Sequence, residues 1–90
     1  SMFGLIPAYG FFIRHAEGVE LNNVEVGYMA EDTRPPFVLD DVRDARFHNV
    51  RAQKADGVPT FMLRKVEEFR TEDTEGVSDT LVVRTESGEL

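Results

Sequence analysis

The chain has 90 residues, a net charge of −7 and no cysteine. Its length allows one small domain, and the lack of cysteine excludes disulfides and Cys-based zinc sites. Because an acidic surface repels phosphate groups, we expect neither a nucleic acid nor a membrane as a partner.

The chain starts with the apolar stretch SMFGLIPAYG, which contains no Lys or Arg. A secretory signal peptide has a basic n-region, so the sequence predicts none and leaves the localisation unknown. No apolar run approaches the roughly 18 residues that a membrane-spanning helix needs.

Three segments then repeat one pattern. They are FFIRHAEGVELNNVEV from Phe11, FVLDDVRDARFHNVRA from Phe37 and FMLRKVEEFRTEDTEG from Phe61, aligned without gaps at offsets of 26 and 24 residues. Equivalent apolar positions form columns that we expect to build the core. These core columns are Phe11, Phe37 and Phe61; Ile13, Leu39 and Leu63; and Ala16, Val42 and Val66.

Spacing within a repeat indicates strands. Phe37 and Leu39 are two apart, as are Ala45 and Phe47, and this is the strand period. A step of three at Val42 lets the next inward residue follow a bend. The pattern predicts an all-β fold, a parallel β-helix (β-solenoid) of about three coils with repeats of 24–26 residues. Helical repeats need longer helical patterns, and leucine-rich repeats need more leucines, so both are disfavoured.

We expect one domain over residues 1–90. Coil 1 covers about 9–35, coil 2 about 36–59 and coil 3 about 60–79, and residues 80–90 form a C-terminal strand and tail. The stretches YMAEDTRPP and KADGVP, which are rich in turn-forming residues, fit the loops between coils.

Three outward columns alternate in charge from repeat to repeat. Equivalent residues of adjacent parallel strands lie about 4.8 Å apart, where like charges repel and opposite charges attract. The alternation therefore favours this register over a slip by one residue. The columns are Arg14, Asp40 and Arg64; Glu17, Arg43 and Glu67; and Glu25, Arg51 and Glu75.

A polar column contains Asn23, Asn49 and Asp73. Stacked Asn side chains hydrogen-bond between parallel strands, so we interpret this column as a structural polar ladder. The alternative is three unrelated surface side chains at a turn.

A further apolar column, Phe12, Val38 and Met62, faces away from the core columns. An exposed apolar stripe needs a covering segment or a partner. Met2–Ile6 and Thr80–Val83 are the candidate covers within the chain, and a subunit interface is the alternative.

Asp40 and Asp41 are the candidate catalytic pair, since glycosidases use two carboxylates. Adjacent strand residues point to opposite faces, however, and the charge column explains Asp40 better. His15 and His48 occupy different columns and have no metal-ligand spacing. The sequence therefore predicts no catalytic residue, no metal site and no cofactor.

The segments YGFFIRHAEGVELNNVEV, PPFVLDDVRDARFHNV and PTFMLRKVEEFRTEDTEGVSDT resemble the C-terminal coils of glycoside hydrolase family 28 proteins, the polygalacturonase-like pectin-degrading enzymes. The resemblance implies a right-handed parallel β-helix and a parent protein that acts on polysaccharide and is typically secreted or periplasmic. The family's catalytic Asn-Thr-Asp, Gly-Asp-Asp, Gly-His-Gly and Arg-Ile-Lys motifs are absent. We therefore expect no activity from this chain alone.

Stacks of parallel strands expose unpaired edges and apolar core at their end coils. We therefore expect self-association into a homo-oligomer, through the coil ends or the apolar stripe. The expected function is that of a terminal β-helix stack with a structural and oligomerising role. A standalone assembly or carbohydrate-binding module is the alternative.

Overall fold

The structure is a computed structural model that describes residues 8–90, and these form strands, turns and loops without a helix. The four strands are β1 (Phe11–Val26), β2 (Phe37–Ala52), β3 (Phe61–Glu72) and β4 (Thr80–Glu89). They make one sheet in the order β1-β2-β3-β4. The predicted all-β class is confirmed. Within residues 8–90 there is no helix long and apolar enough to cross a membrane.

The first three strands are parallel, and their pairing follows the columns of the sequence repeat. Phe11 lies opposite Phe37, which lies opposite Phe61. The columns that begin at Ile13 and Ala16 pair in the same way. One repeat therefore returns the chain to the same position, one strand further along the sheet.

The last strand departs from a purely parallel stack. β4 runs antiparallel to β3, with Val66 opposite Thr85. A tight turn reverses the chain before β4, where Thr74 and Val77 form an antiparallel bridge and the Val77 N–H donates to the Thr74 oxygen at 3.1 Å. The sheet is therefore mixed, whereas the sequence predicts a parallel one.

The strands bend so strongly that the sheet curls around its own interior. Phe37 and Phe47 belong to the same strand, yet their ring centroids are 5.4 Å apart. Ten residues of straight strand would separate them by about 33 Å. The rings of Phe61 and Phe69 in β3 are likewise 5.1 Å apart. The apolar columns therefore meet across a common core.

The core is centred on β2 and β3. Phe37, Phe47, Phe61 and Phe69 are each at most 1% exposed, and each such burial contributes about 1.5–3 kcal/mol to folding. β1 lies at the margin of the core, because its inward residues are only partly buried and Phe11 is 39% exposed. The interior is therefore well covered beside β4 and incompletely covered beside β1.

Gly10 allows β1 to begin close to the start of β2. A Cβ at this position would lie 2.6 Å from the Pro36 carbonyl oxygen. The same oxygen accepts a hydrogen bond from the Phe11 N–H at 2.9 Å. A residue with a side chain would therefore push the first bond between β1 and β2 apart.

Candidate functional site

The parallel strands bend at residues with left-handed backbone, and these residues stack in columns. Each lies within a three-residue step between inward side chains, so the chain turns while both flanking side chains stay inside. Gly, Asn, Asp and His adopt this conformation most readily, whereas Lys65 and Glu68 adopt it at a cost. The three columns are His15, Asp41 and Lys65; Gly18, Asp44 and Glu68; and Asn23, Asn49 and Asp73.

The first bend column lines an open groove that crosses all four strands and has a volume of about 490 Å³. Basic and acidic side chains line the groove in two rows, and within each row they alternate from strand to strand. The rows are His15, Asp41, Lys65 and Glu86; and Glu17, Arg43, Glu67 and Arg84. We call this surface the charged groove. The alignment of the three repeats places the β1–β3 members of each row at equivalent positions, and the column of Glu17, Arg43 and Glu67 was identified from it. The β4 members were missed because β4 was not aligned with the repeats.

His15 and Asp41 form a close pair in the charged groove, with His15 Nδ1 2.6 Å from Asp41 Oδ2. This hydrogen bond is the main reason why the pKa of Asp41 is lowered, and the charges of Lys65 and Arg14 lower it further. Both side chains of the pair are about 60% exposed, so the pair adds little stability. Asp41 therefore stays ionised, which suits a partner for cations better than an acid catalyst.

The second row of the charged groove joins three strands. Arg43 Nε lies 3.3 Å from Glu67 Oε2, and Arg84 Nε lies 3.9 Å from Glu67 Oε1. Glu67 of β3 is thus placed between a cation from β2 and a cation from β4. Each exposed pair contributes only about 0–1 kcal/mol, but the alternation extends into the antiparallel strand.

Asp40 is buried, although the sequence predicts an outward charge column at this position. The residue is 3% exposed, and its Oδ2 lies 3.4 Å from Arg14 Nε and 3.8 Å from Arg64 Nη1. A buried carboxylate needs compensating charge of this kind. Asp40 therefore interacts with two arginines and Asp41 with His15, so the two carboxylates have separate partners.

The polar ladder forms one hydrogen bond between its members. Asn49 Nδ2 donates to Asn23 Oδ1 at 2.8 Å. Asp73 continues the column, but its carboxylate faces His48, whose Nε2 lies 3.3 Å from Asp73 Oδ2. The Asp73 N–H donates to Asp79 Oδ1 at 3.0 Å and so belongs to the turn before β4.

The apolar stripe is exposed at both ends and buried in the middle. Phe12 and Met62 are 38% and 39% exposed, whereas Val38 between them is 3% exposed. Thr80–Val83 does not cover the stripe, because it pairs with the far end of β3 as part of β4. Met2–Ile6, the other expected cover, lies outside the described residues.

The third charge column lines a second cavity. Glu25, Arg51 and Glu75 border a volume of about 460 Å³ at the last bend of the parallel strands. The Glu75 N–H donates to the Val50 carbonyl at 3.0 Å, which holds the end of the third repeat against β2. This column therefore lies where the chain leaves the parallel part of the sheet.

The chemistry of the charged surface is that of paired ions. Within residues 8–90, no group of three or more His, Asp or Glu side chains is placed to hold a metal ion. The charged groove contains cation–carboxylate pairs that link neighbouring strands, and this is the arrangement expected of contacts that fix strand register. No protein family, curated protein or solved structure matches the chain.

Proposed function

We propose that the chain is a terminal β-helix stack with a structural and oligomerising role and no catalytic centre of its own. The observation that carries this proposal is the difference between the two edges of the sheet. β4 covers β3, where Phe61 and Phe69 are fully buried. β4 is itself an outer strand with no neighbour beyond it among residues 8–90, but its inward side chains are mostly small or polar. No strand among residues 8–90 pairs with the outer edge of β1, where Phe11 and Phe12 are 39% and 38% exposed.

Three features support the β-helix interpretation. Equivalent residues of the three repeats pair in parallel, the left-handed bends fall in the same columns, and the strands curl until rings of one strand touch. A right-handed coil is part of the proposal, because it is the hand that the sequence resemblance implies.

β4 has the composition expected of a cap, by which we mean a last layer that ends the core. Its inward residues are small or polar, apart from one valine and the terminal leucine. The neighbouring layer also becomes polar towards its end, where the buried hydroxyls of Thr71 and Thr74 are hydrogen-bonded to each other at 2.5 Å. A terminal layer with a small or polar inward side ends the apolar core, which is the role of a terminal repeat in stacked proteins. The inward residues of β4 and of the chain end that follows it are Thr80, Val82, Thr85, Gly88 and Leu90.

The resemblance to polygalacturonase-like proteins gives this structural role a setting. In such a parent protein, the chain would be the last coils of the β-helix, and the polysaccharide would bind elsewhere in the parent. This part of the proposal rests on the sequence pattern alone.

Carbohydrate binding by the chain itself is the less favoured function. Sugars bind best on exposed aromatic rings, and no Phe, Tyr or Trp is among the residues that line the charged groove. Several charges in that groove are also paired with one another, as at Arg43 and Glu67. A structural role accounts for these pairs without a ligand.

The proposal is tested by the mass of the purified chain in solution over a range of concentrations, measured by light scattering after gel filtration. We expect association that is lost in Phe11→Ser, at the open edge. The matched control is Leu81→Ser on β4, where a 51% exposed leucine is removed from the opposite outer strand. A well-folded monomer at every concentration, or equal effects of the two variants, would contradict the proposal.

A further inference from the structure

β4 shares the inward spacing of the repeat, although it runs in the opposite direction and has no left-handed bend residue. Its segment TLVVRTESGEL aligns without gaps with FFIRHAEGVEL of β1. Three positions are identical, namely Glu86 with Glu17, Glu89 with Glu20 and Leu90 with Leu21. Arg84 also matches His15 in charge type. The same kind of sequence therefore pairs in parallel with one neighbour and antiparallel with another.

The spacing of inward residues explains how β4 pairs antiparallel with a bent strand. Along β3, the inward residues follow each other in steps of two, three, three and two, and along the β4 segment the steps are the same. This series reads identically in both directions about its central residue, Val66 in β3 and Thr85 in β4, which lie opposite each other. An antiparallel strand with this spacing therefore meets every bend of its neighbour. The inward residues of β3 are Phe61, Leu63, Val66, Phe69 and Thr71.

β1 has the same reversible spacing. Its inward side chains in this part are Phe11, Ile13, Ala16, Val19 and Leu21, which also follow steps of two, three, three and two. The centre of the series is Ala16, in the column of Val66. A second β1 strand running antiparallel would therefore match the inward spacing of the first, as the spacing of β4 matches that of β3, and each copy would contribute its left-handed bends at His15 and Gly18.

We propose that the open edge of β1 binds the β1 strand of a second copy of the chain, antiparallel and with Ala16 on the two-fold axis. This inference names the partner for the oligomerising role proposed above and rests on that role. Two identical sheet edges can place both apolar interiors on the same side only when the axis is perpendicular to the sheet. Such an axis reverses the strand direction, so antiparallel pairing follows from the symmetry.

The residue pairs that this register creates correspond in chemistry to the pairs between β3 and β4. Phe11 lies opposite Leu21 of the second copy, as Phe61 lies opposite Leu90, where two backbone hydrogen bonds of 3.0 and 3.1 Å join the residues. An aromatic and a leucine are thus paired at the end of both series.

The outward pairs are complementary as well. His15 lies opposite Glu17 of the second copy, a basic residue opposite a carboxylate, as Arg84 lies opposite Glu67 with 3.9 Å between Nε and Oε1. Because of the two-fold axis, this pair occurs twice. The charged groove would then continue across the interface without bringing like charges together.

Phe12, the partly exposed aromatic residue of the apolar stripe, also gains a partner, and a similar pair exists between β3 and β4. Phe12 lies opposite Glu20 of the second copy, as Met62 lies opposite Glu89. The pairing buries the exposed edge of both copies and is closed, so it ends at a dimer instead of growing into a fibre. The pairing removes the aggregation risk of the unpaired β1 edge, while the outer edge of β4 stays unpaired in each copy.

Disulfide trapping tests the register, since the chain has no cysteine of its own. Residues opposite each other in antiparallel strands have Cα atoms about 4.5–5.5 Å apart, within the range that a disulfide spans. Phe12→Cys and Glu20→Cys are made in separate chains, mixed, and oxidised under mild conditions. We expect a disulfide-linked dimer from the mixture and none from either variant alone.

The positive control is the double variant Met62→Cys with Glu89→Cys, which places two cysteines at the corresponding pair within one chain. We expect an intramolecular disulfide there under the same conditions. Light scattering of the reduced variants shows whether each still associates as the unmodified chain does.

Three results would overturn the register. Cross-linking of Phe12→Cys with itself indicates parallel strands in register. Cross-linking of a mixture of Phe12→Cys and Glu89→Cys indicates β1 of one copy on β4 of another. Association without any link between Phe12→Cys and Glu20→Cys, while the positive control links, indicates another contact. In all three cases the oligomerising role stands, whereas a chain that is monomeric at every concentration contradicts both proposals.

Discussion

The two edges of the sheet differ although they are made from the same repeat. Phe61 lies in β3, which β4 covers, and is fully buried, whereas Phe11 in the same column lies in the outer strand β1 and is 39% exposed. The inward side of β4 is mostly small and polar, and that of β1 is apolar from end to end. The comparison shows that burial in a stacked sheet depends on the next layer and only secondarily on the residue itself.

Removal of β4 should have the largest effect on this comparison. A chain that ends at Asp79 exposes the edge of β3 and the rings of Phe61 and Phe69, which are fully buried in the complete chain. Because a domain of this size is stable by only about 5–15 kcal/mol, we expect no cooperative unfolding transition and aggregation through the uncovered edge. Thermal unfolding followed by circular dichroism, with the complete chain as the control, measures this. A sharp transition in the shortened chain would show that the cap is dispensable.

Truncation of equivalent phenylalanines in β1 and β3 should change stability by different amounts, both smaller than the effect of removing β4. Phe61→Ala leaves a cavity in a closed core and should lower the free energy of unfolding by about 3–5 kcal/mol. Phe11→Ala, in the same column, removes a ring that is partly in water already, so the loss should be about half as large or less. Denaturant titrations at low protein concentration, where association is weak, compare the two. Equal losses would mean that β1 is covered as well as β3.

The buried carboxylate between β1 and β3 should contribute less than a core ring. Asp40→Asn keeps the shape but removes the negative charge beside Arg14 and Arg64, whose side chains are about half exposed and can be hydrated. We expect a loss of about 1–2 kcal/mol, below that of a fully buried pair. Asp44→Asn is the control, because it makes the same substitution at an exposed residue of the same strand and should change stability by at most about 0.5 kcal/mol. If Asp40→Asn lowered the free energy of unfolding by as little as Asp44→Asn, the two arginines would not need the charge of Asp40.

Protonation of Asp41, which links β2 to β1, should have the smallest effect on stability. The hydrogen bond from His15 lowers the pKa of Asp41 in the folded chain, so the folded state binds this proton less readily than the unfolded state. The contribution of ionised Asp41 to stability is therefore complete above the ordinary pKa of an aspartate, about 4. It is lost as the pH falls through the lower pKa that Asp41 has in the folded chain. An NMR titration of the Asp41 carboxyl carbon gives the direction directly. In His15→Gln the pKa should rise towards its ordinary value, and an unchanged value would show that His15 is not the cause.

Much of the parallel part could be predicted from the sequence. The columns that begin at Phe11, Ile13 and Ala16 give the strand pairing, because apolar side chains that share one interior must share one spacing. The direction of β4 could not be predicted in this way. Its inward spacing reads the same forwards and backwards, and only the bridge between Thr74 and Val77 determines which direction is used.

The details of the site were harder to predict than the register. A carboxylate between two arginines has the same sequence pattern whether it is exposed or buried, so the pattern did not reveal the burial of Asp40. The bend columns include Lys65 and Glu68, which have no preference for left-handed backbone. Their conformation follows from the neighbouring strand, where Asp41 and Asp44 bend at the same positions. Gly18 was the one sequence signal for a bend in the column of Gly18, Asp44 and Glu68, since glycine adopts left-handed backbone at no steric cost.

The reversible spacing of the inward residues has a consequence for building such proteins. The length of the stack and the way it ends are independent choices, because any number of parallel layers can be followed by one reversed layer made from the same motif. A designer could therefore extend this chain by inserting further copies of β2 with alternating charges, and keep the segment from Thr80 to Leu90 as a universal terminator.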